Sequence, residues 1–136
     1  MNLVKTGDLV VSRVAEVLRP FGLSPAGGLV LSMLADAEHP MTPGEIRDRL
    51  LVKGPTVTGV IDSLSRAGLV RRTKHPDDRR RQLVGITDKG RRVADRFRPA
   101  VHDAERPWLE GLDEAERRRL LKLLGKVQAH LLKSQQ

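Results

Sequence analysis

The amino-acid sequence lacks cysteine and tyrosine altogether, and aromatic residues make up only 2% of its 136 positions. The absence of cysteine excludes disulfide bonds, zinc–thiolate sites and redox sensing by a thiol. The sequence also lacks an apolar run of the roughly 20 residues that a membrane-spanning helix needs. Residues 1–11 contain no apolar stretch or cleavage site of the signal-peptide type. We therefore expect a cytoplasmic protein without a membrane span.

Residues typical of catalysis and metal binding are sparse as well. The four histidines are scattered along the chain, and no two of them have the spacing of metal ligands. The sequence contains no nucleophile–base pairing, no glycine-rich phosphate loop and no metal-ligand constellation. We expect no cofactor, no metal, no catalytic residue and no enzymatic activity.

Basic residues, in contrast, are abundant and concentrated. The formal net charge is +8, and residues 66–92 alone carry ten basic and three acidic side chains. The rest of the chain contributes a net charge of only +1. Such a concentration favours a polyanionic partner. Nucleic acid and an anionic membrane surface both fit this pattern, and charge alone does not separate them.

Apolar periodicity and capping residues predict four helices in the first half of the chain. The first is expected over residues 3–18, before an Arg-Pro pair that disfavours helical geometry. The second begins after Ser24, and a capping box at Thr42 begins a short third helix. The fourth begins at Gly54, which proline follows, and ends before Gly68.

A β-hairpin and two long helices are predicted after the fourth helix. Residues 69–74 and 81–86 have the composition of short strands, and the turn-forming segment 75–78 lies between them. Thr87 and Asp113 can each cap one of the long helices that follow. The predicted fold is therefore mainly α with a small β-hairpin wing. A short helix, a tight turn, a second helix and a hairpin are the order of a winged helix-turn-helix.

The fourth helix is suited to the major groove of DNA, which admits one α-helix. Opposite its predicted apolar stripe, the helix carries Gly59, Asp62, Ser63 and Arg66, and Lys53, Thr56 and Thr58 lie at its start and flank. Hydroxyl groups and a helix amino end can bind phosphate or bases. Arginines of the hairpin can enter a narrow minor groove. Double-stranded DNA is therefore the expected partner.

Four motifs in order make residues 23–132 resemble the MarR family of transcriptional regulators. They are Leu23-Ser24-Pro25, Thr56-Val57-Thr58 with Val60-Ile61-Asp62, Arg66-Ala67-Gly68-Leu69-Val70-Arg71-Arg72, and the wing segment from His75-Pro76-Asp77-Asp78 through Arg79-Arg80-Arg81 to Ile86-Thr87. The resemblance implies a winged helix-turn-helix with N- and C-terminal dimerisation helices, divided at 1–22, 23–87 and 88–136. It implies a homodimer on a pseudo-palindromic operator, acting as a repressor that a small-molecule effector releases.

The residues and the resemblance together predict a DNA-binding surface. Its members are Lys53, Gly54, Thr56, Thr58, Gly59, Ser63, Arg66, Arg72, Lys74, Arg79, Arg80 and Arg81. The resemblance makes Arg80 the wing-tip arginine and Asp78 its brace, and it implies an effector pocket near Phe21 and Trp108. The chain departs from the family pattern at Gly54 and Gly59, where a long polar side chain is common, and at His75, where aspartate is usual.

Other interpretations stay open at this stage. A sequence-tolerant architectural DNA-binding protein without an effector would share these features. A winged helix used for protein contacts is disfavoured by the charge of residues 66–92. The basic hairpin alone is also compatible with a solvated face, and Asp78 with Arg80 is compatible with an ordinary surface pair. The operator sequence, the regulated genes, the sign of regulation and the identity of an effector are not encoded in any pattern found.

Overall fold

The structure is a computed structural model that describes residues 1–50 and 54–134, with the backbone alone at Gly54 and Pro55. By its internal contacts the chain divides into two compact units, Met1–Val101 and His102–Gln136. The described residues are mainly helical and include a two-stranded antiparallel sheet. The predicted fold class, a mainly α winged helix-turn-helix, is confirmed.

Among the described residues, four α-helices precede the sheet, and a short 3-10 helix at Arg19–Phe21 follows the first of them. The α-helices are α1 (Asn2–Leu18), α2 (Pro25–Asp36), α3 (Pro43–Leu50) and α4 (Gly54–Arg66). The predicted N-terminal caps form: Ser24 Oγ accepts a hydrogen bond from the Gly27 amide at 3.0 Å. Thr42 Oγ1 accepts one from the Glu45 amide at 3.2 Å, which is one of the two bonds of the predicted capping box. The predicted stop after α4 is also present, because Gly68 has a φ of 74°.

Strands β1 (Val70–Lys74) and β2 (Gln82–Ile86) form the wing hairpin, with Val70 opposite Ile86 and Lys74 opposite Gln82. Each strand starts one residue later than predicted. Arg81 belongs instead to the turn, where its amide donates to the Asp78 carbonyl. An isolated bridge between Met41 and Val84 joins the start of the helix-turn-helix to the wing, and this bridge has no counterpart in the sequence pattern.

Two long helices follow the hairpin, α5 (Asp88–Glu105) and α6 (Glu114–Lys133), with a short 3-10 helix at Arg106–Leu109. Thr87 Oγ1 accepts a bond from the Gly90 amide, which begins α5. Asp113 and Glu116 form a reciprocal capping box at the start of α6. Pro99 lies inside α5. Both predicted helix starts are therefore present.

The core of the first unit is built from one side of each of its elements. Its most completely buried side chains are Leu18, Val30, Leu31, Ile46, Val57, Ile61 and Val84. They come from α1, α2, α3, α4 and β2, so that the helix-turn-helix and the wing share one apolar centre.

Among the described residues, no single helix is long and apolar enough to cross a membrane. A pair comprising residues 2–21 and α2 reaches that length and composition, but it is bent by 72°.

Glycines mark two close approaches in this core. Gly27 and Gly28 inside α2 each cost a helix roughly 1 kcal/mol against alanine, and the sequence alone offers no reason for them. A Cβ at Gly28 would come within 2.8 Å of Leu18 Cδ1, and one at Gly27 within 3.2 Å of Ser24 Oγ. Gly28 therefore permits the close packing of α1 against α2.

Gly90→Ala is expected to destabilise the protein by about 2 kcal/mol. A Cβ at Gly90 would overlap the backbone carbonyl of Leu69, and backbone atoms cannot move aside as a flexible side chain can. Gly59→Ala is the matched control, because a Cβ there would meet nothing within 4 Å. The control is expected to gain up to about 1 kcal/mol from helix propensity. Urea unfolding of both variants measures the difference, and equal stabilities would contradict the close packing at Gly90.

Candidate nucleic-acid interface

Helix α4 has one buried and one exposed side. Val57, Ile61 and Leu64 are at most 3% exposed and pack into the core. Thr56, Thr58, Gly59 and Ser63 are exposed, as is Arg66 in its last turn. The polar side predicted to reach DNA is therefore turned away from the protein body. A helix presented in this way can enter a major groove.

The beginning of α4 is only partly described. The helix begins at Gly54, and Lys53, which we predicted to contact DNA, lies outside the described residues. The free amides of a helix amino end attract phosphate. The prediction that Lys53 and Gly54 contribute to DNA binding stays a prediction.

An ion pair connects α4 to the wing. Arg72 Nη2 on β1 donates to Asp62 Oδ1 on α4 at 2.5 Å. Asp62 is half-buried in this pair, although the sequence pattern placed it on the open side of the helix. Since its guanidinium already has a carboxylate partner, Arg72 acts within the protein as a brace between α4 and the wing.

The turn of the wing is held by local hydrogen bonds. Asp78 Oδ1 accepts from the Arg80 backbone amide at 3.0 Å, and His75 Nδ1 accepts from the Asp77 amide at 3.1 Å. The His75 amide donates to the Arg81 carbonyl at 2.9 Å and closes the base of the turn. The exposed side chains of Arg79, Arg80 and Arg81 therefore project from a bonded backbone. Asp78 contacts the main chain of Arg80 in this arrangement.

The basic residues of β1 are divided between the two faces of the sheet, because successive strand side chains alternate. Arg72 and Lys74 share the face of the buried Val70. Arg71 lines the opposite face, in a groove of about 250 Å³ with Pro40, Thr73 and Gly85. The strand therefore directs its cations to both faces of the sheet, and on the face of Val70 the Arg72 side chain reaches Asp62 of α4.

The matches with known proteins agree with this geometry. A family model described as the MarR family matches residues 21–81. The helix-turn-helix-type transcriptional regulator PecS of Dickeya dadantii is 31% identical over 133 residues, which cover 96% of this chain and 80% of PecS. This chain belongs to the MarR family. The resemblance inferred from the sequence is confirmed, and the family consists of winged helix-turn-helix transcriptional regulators.

Two further proteins are similar to this MarR-family chain. The helix-turn-helix-type transcriptional repressor YetL of Bacillus subtilis is 31% identical over 105 residues, and the match spans 76% of this chain but 63% of YetL. The crystal structure of CouR from Rhodococcus jostii, bound to p-coumaroyl-CoA, has a TM-score of 0.85 and 26% identity. That match covers 93% of this chain and 88% of CouR.

The MarR-family chain compensates for one of its departures from the family pattern. His75 stands where the family usually has aspartate, and its ring nitrogen accepts the turn hydrogen bond that a carboxylate oxygen could accept. Gly59 is not compensated, since the space beside it is open. The surface of α4 is consequently flatter than a long polar side chain would make it.

One cation of the basic segment has a structural role that the charge pattern did not indicate. Lys89 Nζ on α5 donates to the Ala67 carbonyl at 2.9 Å, just after the end of α4. A cation at a helix carboxyl end is favourable for the helix dipole. Lys89 therefore fixes the carboxyl end of α4. The contact could not be predicted from the sequence, because 22 residues separate the two partners.

The two residues predicted to line an effector pocket lie in different units. In the first unit, Phe21 makes an edge-to-face contact with Phe97, with ring centroids 6.2 Å apart, and Arg96 lies 5.8 Å above the Phe21 ring. In the second unit, Trp108 belongs to the short 3-10 helix and is 37% exposed. An effector pocket near these residues stays a prediction.

The Asp62–Arg72 pair is expected to contribute a coupling energy of about 1 kcal/mol to the free energy of unfolding. Both side chains are partly shielded from water, and Nε of Arg72 is buried without a partner among the described residues. A double-mutant cycle of Asp62→Ala and Arg72→Ala, followed by urea unfolding, measures the coupling. The exposed pair Glu114–Arg118 is the control, with an expected coupling below about 0.5 kcal/mol. A coupling near zero for Asp62–Arg72 would contradict its role as a brace.

Proposed function

We propose that this chain is a homodimeric, sequence-specific DNA-binding regulator that places α4 in the major groove and the wing arginines in the adjacent minor groove. One observation carries the proposal. The exposed polar side of α4 and the exposed arginines of the wing turn belong to the same compact unit, and the Asp62–Arg72 pair joins α4 to strand β1 of the wing. A helix in one groove and a cationic loop in the next bind DNA in complementary ways.

The proposed DNA-binding surface retains all the residues predicted from the sequence. Thr56, Thr58, Gly59, Ser63 and Arg66 contribute from α4, and Lys74, Arg79, Arg80 and Arg81 contribute from the wing, with Lys53 and Gly54 at the start of the helix. Arg72 contributes through its brace on Asp62. Asp78 contributes by holding the Arg80 amide. A cation with a carboxylate partner is a weaker phosphate ligand than a free one, so Arg80 is expected to outweigh Arg72 in affinity.

Homodimerisation is supported by apolar side chains on the terminal helices. On α1 the exposed ones are Leu3, Val4, Leu9, Val10 and Val11, and on α6 they are Leu120, Leu121, Leu123, Val127, Leu131 and Leu132. Large exposed apolar patches mark interaction surfaces. A second copy of the chain would cover them and set the distance between two half-sites of a pseudo-palindromic operator. The division at 1–22, 23–87 and 88–136 follows from this proposal.

The proposed sign of regulation is repression, and the proposed control is release by a small organic effector. YetL is a repressor, and CouR is a structural relative bound to p-coumaroyl-CoA. An effector would act by favouring a dimer in which the two α4 helices no longer match successive major grooves. We propose that the chain regulates transcription and has no enzymatic activity.

The test is selection of bound fragments from genomic DNA with the purified protein, followed by salt titration on an enriched duplex and on a random duplex of equal length. We expect enrichment of a pseudo-palindrome. Its affinity should exceed that of the random duplex by about a thousandfold or more. Both affinities should fall steeply with salt. Equal affinities for the two duplexes would replace the regulator with a sequence-tolerant architectural protein.

A further inference from the structure

Helix α4, which the proposed function places in the major groove, has few of the side chains that usually contact bases. From Gly54 to Ser65 it contains no arginine, lysine, asparagine or glutamine, and Asp62 is its one charged residue. Arginine and lysine are the usual readers of guanine, and asparagine and glutamine are the usual readers of adenine. Asp62, which could accept a bond from cytosine, is already paired with Arg72. The base contacts left to this stretch are single hydroxyl bonds and apolar contact with the thymine methyl group.

A groove lies beside these residues, and we call it the Gly59 groove. It has a volume of about 260 Å³ and runs between the start of α2 and the exposed side of α4. Thr56, Gly59 and Ser63 form its α4 rim, and Leu23, Val60 and Leu64 supply apolar lining. The rim is open at Gly59, because a Cβ there would meet nothing within 4 Å.

The chemistry of the Gly59 groove favours a methyl group over a phosphate. None of the described residues that line it carries a charge. A phosphate placed there would lose water without gaining a cation in return. The adjoining amino end of α2 offers few amides, because Pro25 has no N–H and the Gly27 amide donates to Ser24 Oγ. A thymine C5-methyl group, in contrast, would leave water for contact with Val60 and with the methyl group of Thr56.

We propose that the Gly59 groove seats thymine methyl groups in the major groove of DNA, so that A·T pairs are selected beneath α4. This inference rests on the proposed function, because it requires α4 to enter the major groove. It makes Gly59 a specificity-determining residue. The missing side chain creates the space that a base edge occupies, and the wing and the residues outside 54–65 supply the affinity for phosphate.

The experiment replaces thymine by deoxyuridine, one position at a time, in the tightest-binding duplex from the genomic selection. Uracil keeps the hydrogen-bonding groups of thymine and lacks only its methyl group. We expect a loss of about fourfold in affinity at each thymine beneath α4, which is the value of one buried methyl-sized group. Thymines outside the half-sites should give no loss. Inosine–cytosine pairs at the sensitive positions keep the minor groove of A·T but remove the methyl group, and they should weaken binding at least as much.

Protein variants assign the effect to the groove. Gly59→Arg fills the space and is expected to abolish the difference between thymine and uracil at the sensitive positions. Gly111→Arg adds the same charge at another open glycine, and it should leave the fourfold difference intact. Circular dichroism of the variants checks that both are folded.

The outcomes separate this inference from the proposed function. Equal affinity for thymine and uracil duplexes, with enrichment of a specific site, would overturn the groove assignment and leave the regulator standing. A uracil penalty that persists in Gly59→Arg would also overturn it, because the methyl group would then be read elsewhere. Failure to enrich any duplex would overturn both.

Discussion

Arg80→Ala is expected to lower affinity for the operator by roughly ten- to a hundredfold, which is the range for loss of a specific arginine contact. The Arg80 side chain is exposed at the tip of the wing, and its amide is held by Asp78. In the proposed complex, the guanidinium would extend from a bonded backbone into the negative potential of a narrow minor groove. Mobility-shift titration and footprinting measure the loss. The slope of log affinity against log salt should also fall by about one.

The control for Arg80→Ala is Arg118→Ala, which removes the same charge from an exposed position on α6. It should change the affinity for the operator by less than about twofold, because salt screens a distant charge. Asp78→Ala gives a sharper comparison. It raises the net charge by one, so simple electrostatics predicts tighter binding, whereas loss of the turn hydrogen bond predicts weaker binding. We expect weaker binding. An unchanged footprint in Arg80→Ala would refute the wing assignment.

Val127→Glu combined with Leu131→Glu is expected to convert the proposed dimer into a monomer at micromolar concentration. The two residues lie one helical turn apart on α6 and are 39% and 57% exposed in the single chain. Burial of both against a second copy stabilises a dimer, and two carboxylates at that interface would have to lose their hydration. Because one head then binds without the other, affinity for the full operator should fall at least a hundredfold.

Sedimentation velocity and operator titration test this prediction together. Lys122→Glu is the matched control, since it changes the charge of α6 by the same two units at a position on the other side of the helix from Val127. It should remain dimeric and bind DNA with nearly normal affinity. A double variant that sediments as a dimer would place the interface elsewhere than on this side of α6.

The two predictions probe different parts of the same mechanism. Arg80 concerns the contact of one head with one half-site, whereas the α6 variants concern the linkage between heads. Arg80→Ala should weaken binding to an isolated half-site and to a full operator alike. The α6 variants should weaken binding to the full operator only, because a half-site needs a single head.

Local features of the fold could be predicted because the atoms that cause them lie close together in the chain. Ser24, Thr87 and Asp113 cap the helices that follow them, and Gly68 supplies a left-handed residue after α4. Each effect involves partners three residues apart, or the backbone of a single residue. The family motifs are local in the same sense, and the family they indicated is the one that the comparisons established.

Contacts between distant segments could not be predicted in this way. The Asp62–Arg72 and Lys89–Ala67 contacts and the bridge from Met41 to Val84 join residues between 10 and 43 positions apart. Asp62 is an example of the difficulty. Its spacing on α4 is that of a solvent-facing residue, and only the position of β1 beside the helix supplies the arginine that partly buries it.

The sequence by itself determined the helix order, the hairpin, the concentration of positive charge and the family, because these follow from periodicity, capping and motifs that are local in the chain. The tertiary structure alone decided which cations are engaged within the protein, why Gly90 must lack a side chain, and that an uncharged groove opens at Gly59. Those properties depend on contacts between segments that are distant in the sequence, and neither residue spacing nor composition specifies which distant segments pack together.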